Sequence, residues 1–388
     1  MQPISLSWAR PMYVMLMLAA FAWAPQAQAI ESIAKQAILL DTTTGAVLFN
    51  KDADVLMPPS SMSKMMTIYM LFDRLKDGSL SLDDTFTVSV NAWRKGGAKS
   101  GSSTMFLLPG KKVRVEDLIR GIIVQSGNDA CIVVAEGLAS SEEAFADEMT
   151  ARARELGLKN SVFKNATGWP NPEHLTTARD LATLAQRTIE DFPEFYHYYK
   201  ETEFTYNGIP QINRNPLLYR DIEADGLKTG HTQDAGYGLT ASATKGDRRL
   251  ILVVNGLASK KERSREPDRL LSWGLREFNN FKLFSAGDVV TKAKVWLGKE
   301  ADISLIIEKD MLITLSRKAR RKMKVAVQFD NPIPAPITKG QQVAKLLVTA
   351  PGLETIEVPL IASGAVERLG LFGRLGTALK AIIWGVSG

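Results

Sequence analysis

The sequence predicts a mixed α/β (α+β) domain built on an antiparallel sheet, followed by a small all-β domain and a C-terminal amphipathic helix. Three observations predict it. Strand-like segments flank a run of helical ones, the order expected when helices pack on an antiparallel sheet. After about residue 285 the segments AKVWLG, ISLIIE, LITLSR, KVAVQF, AKLLVT and TIEVPL are short and β-rich. Turn signals at Asn331-Pro332, Pro334, Pro336 and Pro351-Gly352 separate them, the texture of a small β-sandwich. From Ala365 apolar residues recur at three- and four-residue steps: Val366, Leu369, Phe372, Leu375, Leu379, Ile382 and Ile383.

The chain opens with a positive residue, Arg10, an apolar stretch over 12–24, and small residues at Ala27-Gln28-Ala29. Charge, apolar core and A-x-A follow in the order of a cleaved export signal, and the core is too short to span a bilayer. Residues 1–29 therefore read as a signal peptide, with the mature chain starting at Ile30. The hydrophobic content of 45% and charge of 23% are those of an ordinary globular protein, and the length allows two domains. The single cysteine, Cys131, excludes an intramolecular disulfide. It sits in the apolar run Ala130 to Val134 and reads as a packed thiol. Three scattered histidines give no cluster to hold a metal, and no cofactor is expected. The formal charge of +6 fits nucleic acid, anionic lipid or an acidic substrate, and export disfavours the first. The densest basic run, Arg317 to Lys324, reads as a solvated surface stretch.

Residues 35–50 form a hairpin turning at Thr43 to Gly45. Pro58 and Pro59 stop the chain, and Ser60 caps a helix running to about Lys76. Met62, Met65, Met66, Ile68, Tyr69, Met70, Phe72 and Leu75 cover most of its circumference, so it is a buried helix. A second helical region, Val115 to Leu138, is interrupted at Gln125 to Asn128. Helices follow over Ser140 to Leu156 and Thr176 to Ile189. Strands are expected at Tyr237–Ala243 and Arg249–Gly256, and a closing helix over Arg269–Phe278. The domains are drawn at 30–285, 286–364 and 365–388.

The chemistry begins with Ser61-Met62-Ser63-Lys64. Side chains three apart share a helix face, so Ser61 and Lys64 can meet. Serine needs a base to become a nucleophile, and a lysine amine serves when burial and a helix dipole lower its pKa. S-x-x-K alone is cheap: Ser32, Ser161 and Ser242 each have a lysine three residues on. Only Ser61 opens a long buried helix behind a proline stop. Ser126-Gly127-Asn128 adds a hydroxyl for proton relay and an amide for holding a substrate amide, although Ser89-Val90-Asn91 repeats the pattern. Lys228-Thr229-Gly230 supplies a fixed positive charge and a glycine that lets a substrate backbone approach closely.

S-x-x-K, S-x-N and K-T-G in this order are the signature of penicillin-binding proteins and class A β-lactamases. The segments Pro59 to Thr67, Ser126 to Ala130, Thr176 to Asp180, Asp225 to Thr232 and Ala235 to Tyr237 resemble the low-molecular-mass D-alanyl-D-alanine carboxypeptidases, and the likeness runs from the signal to the tail. It implies a penicillin-binding/β-lactamase-like transpeptidase fold. It implies Ser61 as acylated nucleophile, Lys64 as general base, and Ser126, Asn128, Lys228, Thr229 and Gly230 completing the cleft. The backbone N–H groups of Ser61 and His231 would form an oxyanion hole. Arg214 matches an arginine that organises the carboxylate-binding end, with an arginine near Arg263 or Arg265 assisting. Pro216, in place of a small residue, and Ser60, in place of alanine, depart from the pattern.

The implied substrates are peptidoglycan stem peptides, with β-lactam antibiotics as covalent inhibitors. The tail, with Arg368, Arg374, Lys380 and Trp384, would lie on anionic lipid at the periplasmic side of the cytoplasmic membrane. Three other readings are weaker. A class A β-lactamase needs a deacylating glutamate, and neither Glu155 nor Glu173 sits in an E-x-x-L-N context. A D,D-endopeptidase would lack the β-domain and tail. A non-catalytic peptidoglycan scaffold would not need the full Ser/Lys/Ser/Asn/Lys set.

Overall fold

The structure is a computed structural model that describes residues 30–373 and 375. From Ser32 onward the chain forms one compact unit. The expected signal over 1–29 and the far part of the tail, 376–388, lie outside the described residues.

The hairpin read at 35–50 is present as β1 (Gln36–Asp41) and β2 (Val47–Lys51). These strands join β3 (Ala224–Thr232), β4 (Gly236–Lys245) and β5 (Arg248–Leu257) in an antiparallel sheet of order β2-β1-β5-β4-β3. The register pairs Leu39 with Leu252 and Thr229 with Leu239. Ile38, Ile251 and Val253 turn into the main core, as period-two alternation requires. Strand β3, which carries Lys228-Thr229-Gly230, is an outer strand with β4 as its one neighbour among the described residues.

That core is helical. It holds α1 (Lys64–Lys76), α2 (Val90–Gly96), α3 (Val115–Ile123), α4 (Asn128–Ala139), α5 (Glu142–Glu155) and α6 (Ala178–Asp191). Every residue of α1 from Lys64 to Phe72 is buried, so the all-round apolar pattern was a burial signal. Ser141 and Thr177 cap α5 and α6 by accepting from the backbone N–H groups of Ala144 and Asp180. The closing helix α7 spans Lys260–Glu277, much longer at its start than expected, with Ser259 as cap and Pro267 accommodated inside.

Ser60 does not cap α1. Ser60–Ser63 forms a 3-10 turn, and α1 begins only at Lys64. The reason is that the three hydroxyls of this turn face elsewhere: Ser60 to Thr232 (3.2 Å), Ser61 to Lys64 (2.9 Å) and Ser63 to His174 (2.7 Å).

The all-β part contains β6 (Phe278–Phe284), β7 (Val289–Trp296), β8 (Asp302–Ile307), β9 (Met311–Ser316), the short α8 (Arg317–Arg321), β10 (Lys324–Gln328), β11 (Ile333–Pro334), β12 (Gln342–Ala350) and β13 (Leu353–Ala362). Strands β6 and β9 pair with each other, and the rest form a sheet of order β10-β12-β13-β8-β7-β11. The two sheets share one core around Leu305, Ile313, Leu346 and Leu360. Strand β6 follows α7 directly, so this layer starts ahead of the limit drawn at 285/286.

The tail also differs from expectation. Val366 is buried in the β core and bridges Ile337, and the Leu369 N–H donates to the Leu297 carbonyl. Residues 366–369 are therefore part of the β layer. Helical geometry starts at Leu371, after Gly370.

A buried polar junction ties this layer to the five-stranded sheet. Asp41, fully buried, accepts from Arg248 Nε at 2.6 Å and from Asn280 Nδ2 at 3.3 Å. Arg248 Nη1 also donates to the carbonyls of Gly274 and Phe278, and Thr314 donates to Asn280. Removing one partner of such a pair strands a charge away from water. Arg248→Met should therefore cost about 3–5 kcal/mol in chemical denaturation, and adding Asp41→Asn should restore much of it.

Candidate functional site

The turn Ser60–Ser63, the break between α3 and α4, the strand β3 and the segment before Pro216 converge on one cleft of about 530 Å³. Of the residues expected at the site, Ser61, Ser126, Arg214, Thr229, Gly230 and His231 line it. Lys64, Asn128 and Lys228 are buried. A larger cavity of about 760 Å³ along α7 contains none of these groups.

Lys64 Nζ stands 2.9 Å from Ser61 Oγ and donates to the Thr167 carbonyl at 2.6 Å. Its side chain is 0% exposed. Burial pushes its pKa down to about 8, and the Arg214 guanidinium adds to the shift. The amine is thus available as a base near neutrality, and a hydroxyl lies within reach of it.

Ser126 has φ +65° at the helix break. Its Oγ is buried with no hydrogen-bond partner among the described residues. A buried hydroxyl left free carries a cost. The neighbouring Asp129 carboxylate accepts from Thr104 Oγ1 (2.6 Å) and from the N–H groups of Met105 (2.8 Å) and Leu107 (3.0 Å). The Asn128 N–H donates to Ser103 O at 2.7 Å, and Ser103 Oγ accepts from Arg214 at 2.5 Å. The S-x-N element and Arg214 are therefore held by one loop.

Gly230 lets β3 pack against the Ser60–Ser63 turn: a Cβ there would lie 3.0 Å from Pro59 O and 3.1 Å from Met62 Cγ. The pKa of Lys228 lies well below the usual lysine range, first because of burial and then because of Lys64 and Arg214. Arg263 also faces the cleft. It is buried, donates to Gly230 O at 3.3 Å and lies over the Tyr237 ring at 5.3 Å, while its Nε is unpartnered among the described residues. Arg265 lines the other cavity, which settles which of the two arginines faces the cleft. His231 stacks on Tyr237 with ring centres 3.9 Å apart. Pro216 opens a short 3-10 turn capped by Asn215 and does not line the cleft. Cys131 is buried, its thiol pushed up to about 12 by burial.

Sequence reasoning missed Ser103, Asp129, Thr167 and His174. Thr167 acts through a carbonyl, which no residue type signals. Asn165 gave a hint: its Oδ1 gathers the N–H groups of Thr167, Gly168 and Trp169, an Asn-led turn readable from N-x-x-G. Glu155 pairs with Arg152 and Glu173 with Lys164, and neither lines the cleft.

Residues 23–259 match the family model described as D-alanyl-D-alanine carboxypeptidase, and 278–368 match the C-terminal domain of penicillin-binding protein 5. The chain is 40% identical over 365 residues to the D-alanyl-D-alanine carboxypeptidase DacC of Escherichia coli, covering 92% of this chain and 91% of the relative. It is 39% identical to DacA of the same organism, covering 89% and 87%. Penicillin-binding protein 5 from Haemophilus influenzae superposes with a TM-score of 0.76 at 35% identity, over 88% of this chain and 100% of that one. The carboxypeptidase DacD from Francisella tularensis gives 0.80 at 30%, over 87% and 95%.

The buried amine sets a pH dependence. Only its neutral form can take a proton, so covalent labelling by a fluorescent penicillin should accelerate as pH rises towards about 8 and level off above it. Stopped-time labelling across that range measures it.

Proposed function

This chain belongs to the D-alanyl-D-alanine carboxypeptidase family and is a serine-type carboxypeptidase of peptidoglycan stem peptides, acylated by penicillins; from that premise we propose how its residues divide the work. The observation that carries the reading is the contact of Lys64 Nζ with Ser61 Oγ inside a dry helix start. Lys64 takes the Ser61 proton, and Oγ attacks the carbonyl of the penultimate D-alanine. The backbone N–H groups of Ser61 and His231 hold the oxyanion. The C–N bond breaks, and the leaving D-alanine amine receives a proton through Ser126. Water then attacks the ester, with Lys64 again as base, and frees Ser61. Asn128 holds the substrate's amide.

The terminal carboxylate is received by Lys228, Thr229, Arg214 and Arg263. Lys228 is a conditional charge: in the free cleft burial and its cationic neighbours disfavour the ammonium form, and an arriving carboxylate restores it. The basic neighbours thus make the empty cleft costly, and the carboxylate offsets part of that charge.

The finer placement is also our reading. Residues 1–29 direct export to the periplasmic side of the cytoplasmic membrane, and the tail rests on anionic lipid. Leu371, Phe372 and Leu375 are 64%, 89% and 56% exposed, an apolar face open among the described residues. Among the described residues no helix is long and apolar enough to cross a membrane.

Two outcomes test this reading. Ser61→Ala should leave a synthetic pentapeptide ending in D-Ala-D-Ala uncut by mass spectrometry, and take no penicillin label, with its thermal midpoint kept; an adduct on that variant would reassign the nucleophile. Ending the chain after Gly370 should shift the protein from the pellet to the supernatant with anionic liposomes, while activity on the pentapeptide stays the same. The cut must fall there because Val366 and Leu369 belong to the β layer.

A further inference from the structure

The segment 165–175 crosses the start of α1, and one of its side chains has no part in the chemistry described so far. His174 is 2% exposed. Its Nδ1 accepts from the Lys164 N–H at 3.3 Å, so the proton sits on Nε2, which donates to Ser63 Oγ at 2.7 Å. The ring packs edge-on to Phe163. Ser63 lies between the nucleophile Ser61 and Lys64, in the same turn.

We propose that His174 is a positioning residue for the reaction: by pinning the segment 165–175 to the nucleophile's turn through Ser63, it sets the Thr167 carbonyl that aims the Lys64 amine at Ser61. The inference rests on reading Lys64 as the base. A neutral amine has two N–H groups and one lone pair, and proton abstraction requires the lone pair to face Ser61 Oγ. Thr167 O, at 2.6 Å, takes one N–H and so fixes how the amine is turned. Misplacing such an acceptor by an ångström leaves the amine present but turned wrongly.

Other contacts show how tightly the segment is laid down. Thr67 Oγ1 donates to Ala166 O at 2.7 Å. Gly168 has φ +76°, and a Cβ on it would fall 1.8 Å from Ser60 O, so the backbones touch there. These contacts fix residues 166–168 from one end. His174 fixes the other end of the loop, and the two ends meet at the same turn. The imidazole suits the task because burial and the nearby Lys64 push its pKa down to about 4, so its donor stays in place across the working range. The groups that bear on the Lys64 charge are Asp129 and Cys131 of α4, Glu142 of α5, Lys228 of β3, Arg214 and His174 itself. Among the described residues none forms an ion pair with Lys64, so the Thr167 carbonyl is its nearest fixed partner besides Ser61.

The test compares His174→Phe, His174→Gln, Ser63→Ala and the double variant His174→Phe/Ser63→Ala in the full chain. Penicillin acylation rates are measured against pH, with thermal midpoints alongside. His174→Phe should lower the plateau rate about tenfold. It should also move the acid limb to lower pH by up to about one unit, because the ammonium form loses part of its carbonyl acceptor. Ser63→Ala should do the same, which keeps the test open if the phenylalanine variant folds poorly. The double variant should be no worse than either single, since both remove one contact. His174→Gln, whose amide can still donate to Ser63, should recover most of the rate. An acid limb that stays in place, with rates that either hold or fall only in step with the thermal midpoint, would overturn the proposal. Lys64→Arg separates the two readings: acylation surviving in it sinks the base assignment, whereas a silent Lys64→Arg beside an unaffected His174→Phe sinks the role of His174 alone.

Discussion

A lysine amine carried wholly out of water, one turn after a serine, is the constraint on which the rest of the catalytic domain depends. Desolvating an ammonium is expensive, and a protein tolerates it by letting the group give up its proton. That choice requires a helix start with no carboxylate paired to Lys64, which holds among the described residues. It requires a dry wall, which Met62, Met65 and Met66 and the fully buried length of α1 supply. It also requires that nearby positive charge not be neutralised. Arg214 and Arg263 accordingly hold onto hydroxyl and carbonyl oxygens, not acids, in the cleft. Burial and the neighbouring positive charges together hold both lysines below the usual range.

The serine-rich turn shows how local and global demands were reconciled. A helix start normally uses a side-chain oxygen to satisfy its first N–H groups. Here the three hydroxyls are spent on Thr232, Lys64 and His174. The turn tightens to 3-10 geometry, and no side chain caps α1. Local helix stability is given up so that three separate parts of the chain meet at one point. The energy is recovered in the core below it.

Much of this was legible because it is written in short-range spacing. Ser61 and Lys64 meet by helix geometry, the interruption at Gln125 to Asn128 showed as a break in apolar period, and Lys228 to Gly230 fell on a strand as expected. What could not be read came from segments distant in the chain brought together in space. Thr167 contributes a carbonyl from 103 residues away, and His174 a ring from 111 residues beyond Ser63. The errors share a cause as well. Ser60 was given the role its residue type favours locally, but a tertiary partner claimed its hydroxyl. Val366 kept helical spacing with the tail, yet its side chain fills the β core, because apolar period alone does not say which surface will cover a residue.

Among the described residues, strand β3 has a sheet neighbour on one side only, and Thr229, Gly230 and His231 of it line the cleft. An uncovered strand margin ordinarily invites promiscuous pairing between molecules. Here six of the seven residues from Ala224 to Gly230 are buried, and the turn of Ser61, the Ser103 loop and Arg263 crowd the rest. A second strand laid along this margin would meet those side chains before it could pair, so the features that line the cleft also guard the edge.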